Sequence, residues 1–246
     1  MEVITASNIT DKRLLAFTTC APADYKGNSV QGEKNRRALE QSLAPLRLAW
    51  LNLEHADVLT IDPPEATSAD AVIITEPGHA AAFTTADCLP LIVSAHDHGR
   101  ARNTTGEPRK QLCIAGIHAG WRGLASGVIE KTILYLSKEL GYAPQSLHAW
   151  IGPSIKFEDY EVGEDAYKAL KAISLARSEH FFATRPQHWL ADLPGLATAI
   201  LVGKGIPAEH IARCPLSSYQ SPQFHSYRRD ARLSGRMATI VGIKQV

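Results

Sequence analysis

The chain has 246 residues and no apolar run near the roughly 20 residues that a membrane-spanning helix needs. Met1 to Leu15 alternate polar and apolar side chains and include Asp11, Lys12 and Arg13, so the apolar centre of a secretory signal is missing. Neither sign of charge dominates. With 26 basic side chains against 25 acidic ones, neither nucleic acid nor an anionic membrane is expected as a general partner. No CxxC pair occurs, and the four cysteines, Cys20, Cys88, Cys113 and Cys214, are scattered. That pattern suits free thiols in a reducing cytoplasm better than a disulfide framework. No repeat, low-complexity tract or linker divides the sequence, so a single domain over residues 1–246 is expected, as a monomer or small homo-oligomer. No GxGxxG word follows a predicted strand, which disfavours a dinucleotide-binding fold.

What is present is a mixture of strand and helix patterns without a strict βαβ rhythm. Leu89–Ala95 and Leu112–Ile117 are unbroken apolar runs, which predicts strands buried on both faces, joined by a polar loop over His96–Lys110. Ala71–Thr75, Ala80–Thr85, Leu147–Ile151 and Met237–Ile243 read as further strands. Leu124, Val128, Ile129, Ile133, Leu136 and Leu140 share one helical face, ended by Gly141 and Pro144. Helices are also expected over Glu33–Ala44, Glu164–Arg177 and Trp189–Val202, the last interrupted by Pro194. The expected fold is α+β, mixed sheets flanked by helices.

Three segments are unusual. In Gly116-Ile117-His118-Ala119-Gly120-Trp121-Arg122-Gly123 a buried strand ends in a histidine and a glycine-rich turn opens into a helix. Such a turn lets backbone approach a ligand, and Arg122 adds a fork suited to phosphate or carboxylate; equally, it is a tight turn with a surface arginine. In Thr84-Thr85-Ala86-Asp87-Cys88-Leu89-Pro90 the cysteine is a thiolate ligand, a nucleophile or an inert core thiol. His55, in Leu53-Glu54-His55-Ala56, is by itself an ordinary structural or solvated histidine. Spacing does not unite these three residues, because each lies on a separate element.

Together the words resemble a known family. His118 with Ala119-Gly120-Trp121-Arg122-Gly123, Thr85-Ala86-Asp87-Cys88-Leu89-Pro90, and Ser226-Tyr227-Arg228-Arg229-Asp230 with Gly235-Arg236 look like the three signature blocks of the peptidoglycan editing factor/polyphenol oxidase family of purine nucleoside-processing enzymes. Asn35-Arg36, Ile151-Gly152-Pro153-Ser154-Ile155 and Tyr160-Glu161-Val162-Gly163 are weaker matches in the same order. The resemblance implies a metal held by His55, Cys88 and His118, with zinc as the expected ion and copper an alternative. His55 is assigned by position, since the glycine and glutamine of the family's histidine word are replaced here; His79 is the rival. The N-terminal word is replaced by Thr19 to Asn28, which puts substrate choice in doubt rather than the metal.

Two imidazoles and a thiolate leave a tetrahedral ion with one open position, the catalytic arrangement of zinc. Such an ion lowers the pKa of water to about 7, enough to displace ammonia from C6 of adenosine in the manner of the zinc nucleobase deaminases. Relatives are also associated with phosphorolysis, which needs cations around phosphate, and Arg36, Arg122, Arg228 and Arg229 are the expected stock. Cys88, His118 and Asp87 are the expected catalytic groups, Asp87 as general acid/base or as the group that orients a ligand histidine. The reading is therefore a purine nucleoside phosphorylase with adenosine deaminase activity, taking a purine nucleoside and phosphate. The alternatives are a copper-dependent phenol oxidase, which has only His96-Asp97-His98 as a His-x-His word, and a peptidoglycan-precursor hydrolase using Cys88 as nucleophile.

Overall fold

The two apolar runs form the centre of the molecule. In the computed structural model, which describes residues 1–95 and 112–245, Leu89–Ala95 and Cys113–Ala119 pair antiparallel and every residue of both is buried. The polar loop expected over His96–Lys110 lies outside the described residues. The central pair extends into a six-stranded sheet in the order Ile211–Arg213, Leu147–Ile151, Leu89–Ala95, Cys113–Ala119, Ala71–Ile74, Leu59–Ile61. A second six-stranded sheet runs Val3–Thr5, Leu14–Thr19, Met237–Ile243, His79–Thr85, Arg47–Asn52, Thr67–Ser68. Both mix parallel and antiparallel pairs, as the patchwork of strand and helix signals implied.

The sheets pack face to face. Leu51, Phe83 and Val241 of one meet Ile74, Ile92, Ile114 and Trp150 of the other. Burying each such side chain contributes ~1.5–3 kcal/mol over leaving it in water. Gly116 sets the approach, because a Cβ there would lie 2.8 Å from the Phe83 ring and 3.0 Å from Val241. Helices Val128–Lys138 and Leu193–Gly203 cover the outer face of the central sheet, and Val30–Leu43 covers the other through Leu39 and Trp50. The order of layers is helix, sheet, sheet, helix.

Helix boundaries depart from the periodic patterns for identifiable reasons. The face from Leu124 to Leu140 is carried by two helices, Trp121–Ser126 and Val128–Lys138. Gly127 between them adopts φ 86°, a left-handed conformation that ends one helix and re-aims the next. The helix expected over Glu164–Arg177 stops at Lys171, and the chain turns so that Leu175 packs on Gly203. Trp189–Val202 is a strand followed by a helix. His188–Ala191 joins Glu161–Gly163 and Phe181–Arg185 in a third sheet, and Leu193–Gly203 begins after Asp192, whose side chain accepts from the Gly195 N–H at 2.8 Å. Pro194 therefore sits in the first turn, where no donor is required, rather than breaking the helix.

Candidate active site

His118, Cys88 and His55 come from three elements and meet at one cleft. Strand register does most of the work. Leu89 pairs with Ala119 and Pro90 with His118, so the bend carrying Cys88 lies beside Gly120. A Cβ on Gly120 would sit 2.9 Å from the Cys88 sulfur and 3.8 Å from His118 Nε2. Glycine is thus the residue that lets thiol and imidazole share this corner. The His55 ring meets the His118 ring edge-on, centroids 4.9 Å apart.

The group that organises both histidines is Asp70, which the sequence reading did not single out. Its carboxylate, fully buried, accepts from His118 Nδ1 at 3.0 Å and from the backbone N–H groups of His55 and Ala56 at 2.9 Å each. The Asp70 carbonyl also accepts the His118 N–H at 2.7 Å. His55 is held at φ 57°, a conformation that costs a non-glycine residue energy and persists where its surroundings fix it, here the carboxylate behind it. Burial raises the Asp70 pKa, but the bonds from His118 and the two N–H groups more than reverse this and leave it below the ordinary carboxylate value. Burial likewise opposes charge on His118, yet Asp70 and the neighbouring Cys88 sulfur outweigh it and carry the His118 pKa to about 9. His55 shifts downward through burial and the proximity of His118.

Asp87 occupies a different place from the one its neighbour Cys88 suggested. Its two carboxylate oxygens accept from the Ser218 hydroxyl and from the Arg228 N–H, each at 2.7 Å, and its carbonyl accepts the Ile155 N–H at 3.0 Å. It ties the cysteine bend to the Ser226–Asp230 block and to the Gly152–Ile155 block. The bond that orients a histidine belongs to Asp70. The four expected arginines also separate. Arg36 lines the cleft, whereas Arg122 lies exposed over the Trp121 ring. Arg228 donates to the carbonyls of Asp159 and Glu161. Arg229 is spent on the carbonyls of Ser218, Tyr219, Ser221 and Phe224 and on Asp230. His79 stands at the opposite end of its strand, 3.4 Å from Glu76.

The cleft encloses about 550 Å³. His55, Cys88 and His118 line it together with Leu51, Asn52, Leu53, Thr84, Thr85, Ala86, Arg36, Tyr227 and Arg236. That volume lies within the range of small-molecule sites.

Residues 24–244 match the protein family described as multi-copper polyphenol oxidoreductase laccase. The chain belongs to this family. Among family relatives, a purine nucleoside phosphorylase of Xylella fastidiosa (strain Temecula1) is 37% identical over 221 residues, covering 86% of this chain and 78% of the relative. The purine nucleoside phosphorylase YfiH of Escherichia coli K12 is 32% identical over 213 residues, covering 85% and 79%. A Neisseria meningitidis protein of known crystal structure superposes with a TM-score of 0.81 at 26% identity over the full length of both chains. Bacillus licheniformis YfiH shares the fold with a TM-score of 0.82 over 94% of this chain and 93% of its own.

The family's description names a metal. Among the described residues, no three His, Cys, Asp or Glu side chains already stand gathered as a metal cage. The donor chemistry nevertheless fits an ion. A soft sulfur and two imidazoles suit zinc or copper, and His118 engages Asp70 through Nδ1, which leaves Nε2 on the side of the sulfur. His55 sits on an exposed bend, its ring edge-on to that of His118.

Proposed function

We propose that this chain is a metal-dependent purine nucleoside phosphorylase that also deaminates adenosine. The observation that carries the reading is the convergence of His55, Cys88 and His118 in a cleft of nucleoside size, backed by a buried carboxylate. The names of the relatives support the reaction class. A zinc-class ion held there supplies Lewis acidity toward water or a substrate oxygen.

The remaining roles fall to side chains. Tyr227 and the leucines that line the cleft offer apolar and aromatic surface to a purine, and Asn52, Thr84 and Thr85 offer hydrogen-bonding groups to a ribose. The Thr85 hydroxyl is buried and unpartnered, so a ligand that bonds to it relieves a polar group left without water. Asp70 holds His118 in one tautomer and one orientation, and Asp87 fixes the wall that carries Tyr227. Incubation of zinc-loaded protein with adenosine and phosphate, with products separated by chromatography, should give adenine and, by deamination, inosine. No turnover of any purine nucleoside by fully loaded protein refutes the proposal.

A second reading is favoured by one observation. A thiol beside an imidazole whose other nitrogen meets a buried carboxylate is also the arrangement of a cysteine nucleophile with its base, as a hydrolase acting on peptidoglycan precursors requires. Stoichiometric zinc bound through Cys88 excludes that use of the thiol. Copper-dependent phenol oxidation is tested in the same preparation by loading copper and supplying a phenol. A type of centre with several coppers draws on more imidazoles than the two that line this cleft among the described residues.

A further inference from the structure

Two arginines line the cleft, and among the described residues neither has a carboxylate within ion-pair distance. The Arg36 guanidinium lies over the Trp50 ring, 4.2 Å from its centroid, and its opposite face rests on Gly27. A Cβ added to Gly27 would come within 2.8 Å of the guanidinium carbon and of both terminal nitrogens. Its Nε donates to the Tyr25 carbonyl at 2.8 Å, and among the described residues no hydrogen bond or ion pair engages the terminal nitrogens. Arg236 spends one terminal nitrogen on the carbonyls of Ser234 and Gly235, at 3.2 and 2.9 Å, and its guanidinium stands 5.7 Å from the Tyr227 ring centroid. Tyr25 couples the two, since its carbonyl accepts from Arg36 while its N–H donates to the Arg236 carbonyl at 3.0 Å. Strand register brings Arg236 next to the cysteine bend, because Met237 pairs with Thr85.

We propose that Arg36 and Arg236 form a seat for a phosphate dianion in the wall of the cleft, with Arg36 pre-set between Gly27 and Trp50. The identification of that anion as the phosphate consumed in the reaction rests on the phosphorolysis proposed above. A half-buried guanidinium whose terminal nitrogens bond to no carboxylate keeps its donors available, and an incoming dianion engages them through planar, bidentate bonds. Burial is also what lowers the Arg36 pKa, against the pull of Glu33, Glu40 and Asp24. The other arginines of the signature words are turned elsewhere, Arg228 and Arg229 onto backbone carbonyls and Arg122 onto Trp121. The seat thus lies in part in the N-terminal word where this sequence departs from its family's pattern, at Tyr25 and Gly27.

Calorimetric titration of inorganic phosphate into zinc-loaded full-length protein tests this, in parallel with inosine turnover at varied phosphate. Arg236→Gln should weaken phosphate binding at least tenfold. Gly27→Ala should do so too without changing charge, since the added methyl displaces only the mobile end of Arg36. Arg37→Gln, an exposed neighbour on the same helix, is the charge-matched control and should shift binding less than twofold. Parent protein that binds no phosphate, or binding unchanged in Arg236→Gln and Gly27→Ala, overturns the seat. Binding lost in those two variants of a protein that turns over no nucleoside upholds the seat and removes the phosphorolysis. Turnover with an unchanged KM for phosphate in both variants removes the seat and keeps the reaction.

Discussion

One carboxylate sets the chemistry of this cleft at the residue scale. Asp70 accepts three bonds, one from the His118 ring and two from the turn that bears His55, so it positions both histidines at once. The pKa of His118 lies at about 9, above the usual 6.5, so in metal-stripped protein its proton stabilises the fold. A group raised in this way contributes its full stability below pH 6.5 and loses it as pH climbs through 9. The loss is on the order of 3 kcal/mol. Denaturant unfolding of metal-stripped protein at a series of pH values should show it, and Asp70→Asn should flatten that slope. The same variant should weaken zinc roughly 10–100-fold, the usual cost of removing a carboxylate behind a metal-ligating histidine. A pH slope equal to the parent's in Asp70→Asn would mean that Asp70 does not hold the His118 proton. Little of this was legible in the sequence. Cys88 and His118 stood out because they sit in long words beside glycines. Asp70 stands in Ser68-Ala69-Asp70-Ala71-Val72, where the one available signal was a charged residue opening a strand of four buried residues.

At the scale of elements, the signature words turn out to be joints. Asp87 receives the Ser218 hydroxyl and the Arg228 N–H, and so connects the cysteine bend to the segment that carries Tyr227. Its φ of 89° places it in the left-handed region, where aspartate is tolerated better than alanine. Asp87→Ala should therefore cost roughly 1–3 kcal/mol in denaturant unfolding, through one buried and one part-buried donor left unpaired. It should also raise the KM for nucleoside, with Asp87→Asn intermediate in both. An Asp87→Ala protein as stable as the parent but without turnover would instead restore the general acid/base role suggested by the sequence. Fold legibility divides along similar lines. Doubly buried strands such as Leu89–Ala95 announce themselves by composition alone, whereas Leu14–Thr19 and Arg47–Asn52 are covered unevenly and carry no such run. The boundary at Ala191–Asp192 went unread because a capping aspartate and a first-turn proline look like an interruption until strand His188–Ala191 is seen to end there.

At the scale of the whole molecule, the two sheets stack with Gly116 admitting Phe83, and the cleft opens where strand ends from both sheets meet. His118 and the bend of Cys88 come from the central sheet's strand ends, Thr84 and Thr85 from the second sheet, and Arg236 from the residue just before that sheet's strand Met237–Ile243. No helix among the described residues is long and apolar enough to cross a membrane. The proposed sites for the ion, the nucleoside and the phosphate thus fall at a seam between layers, where each sheet contributes groups that the other lacks. The most direct test is to titrate zinc into metal-stripped parent and His55→Ala protein while following phosphate-dependent cleavage of inosine. The account predicts that one equivalent restores full turnover to the parent, and that His55→Ala stays folded but inactive. Full turnover in the stripped parent, or in His55→Ala, would contradict it.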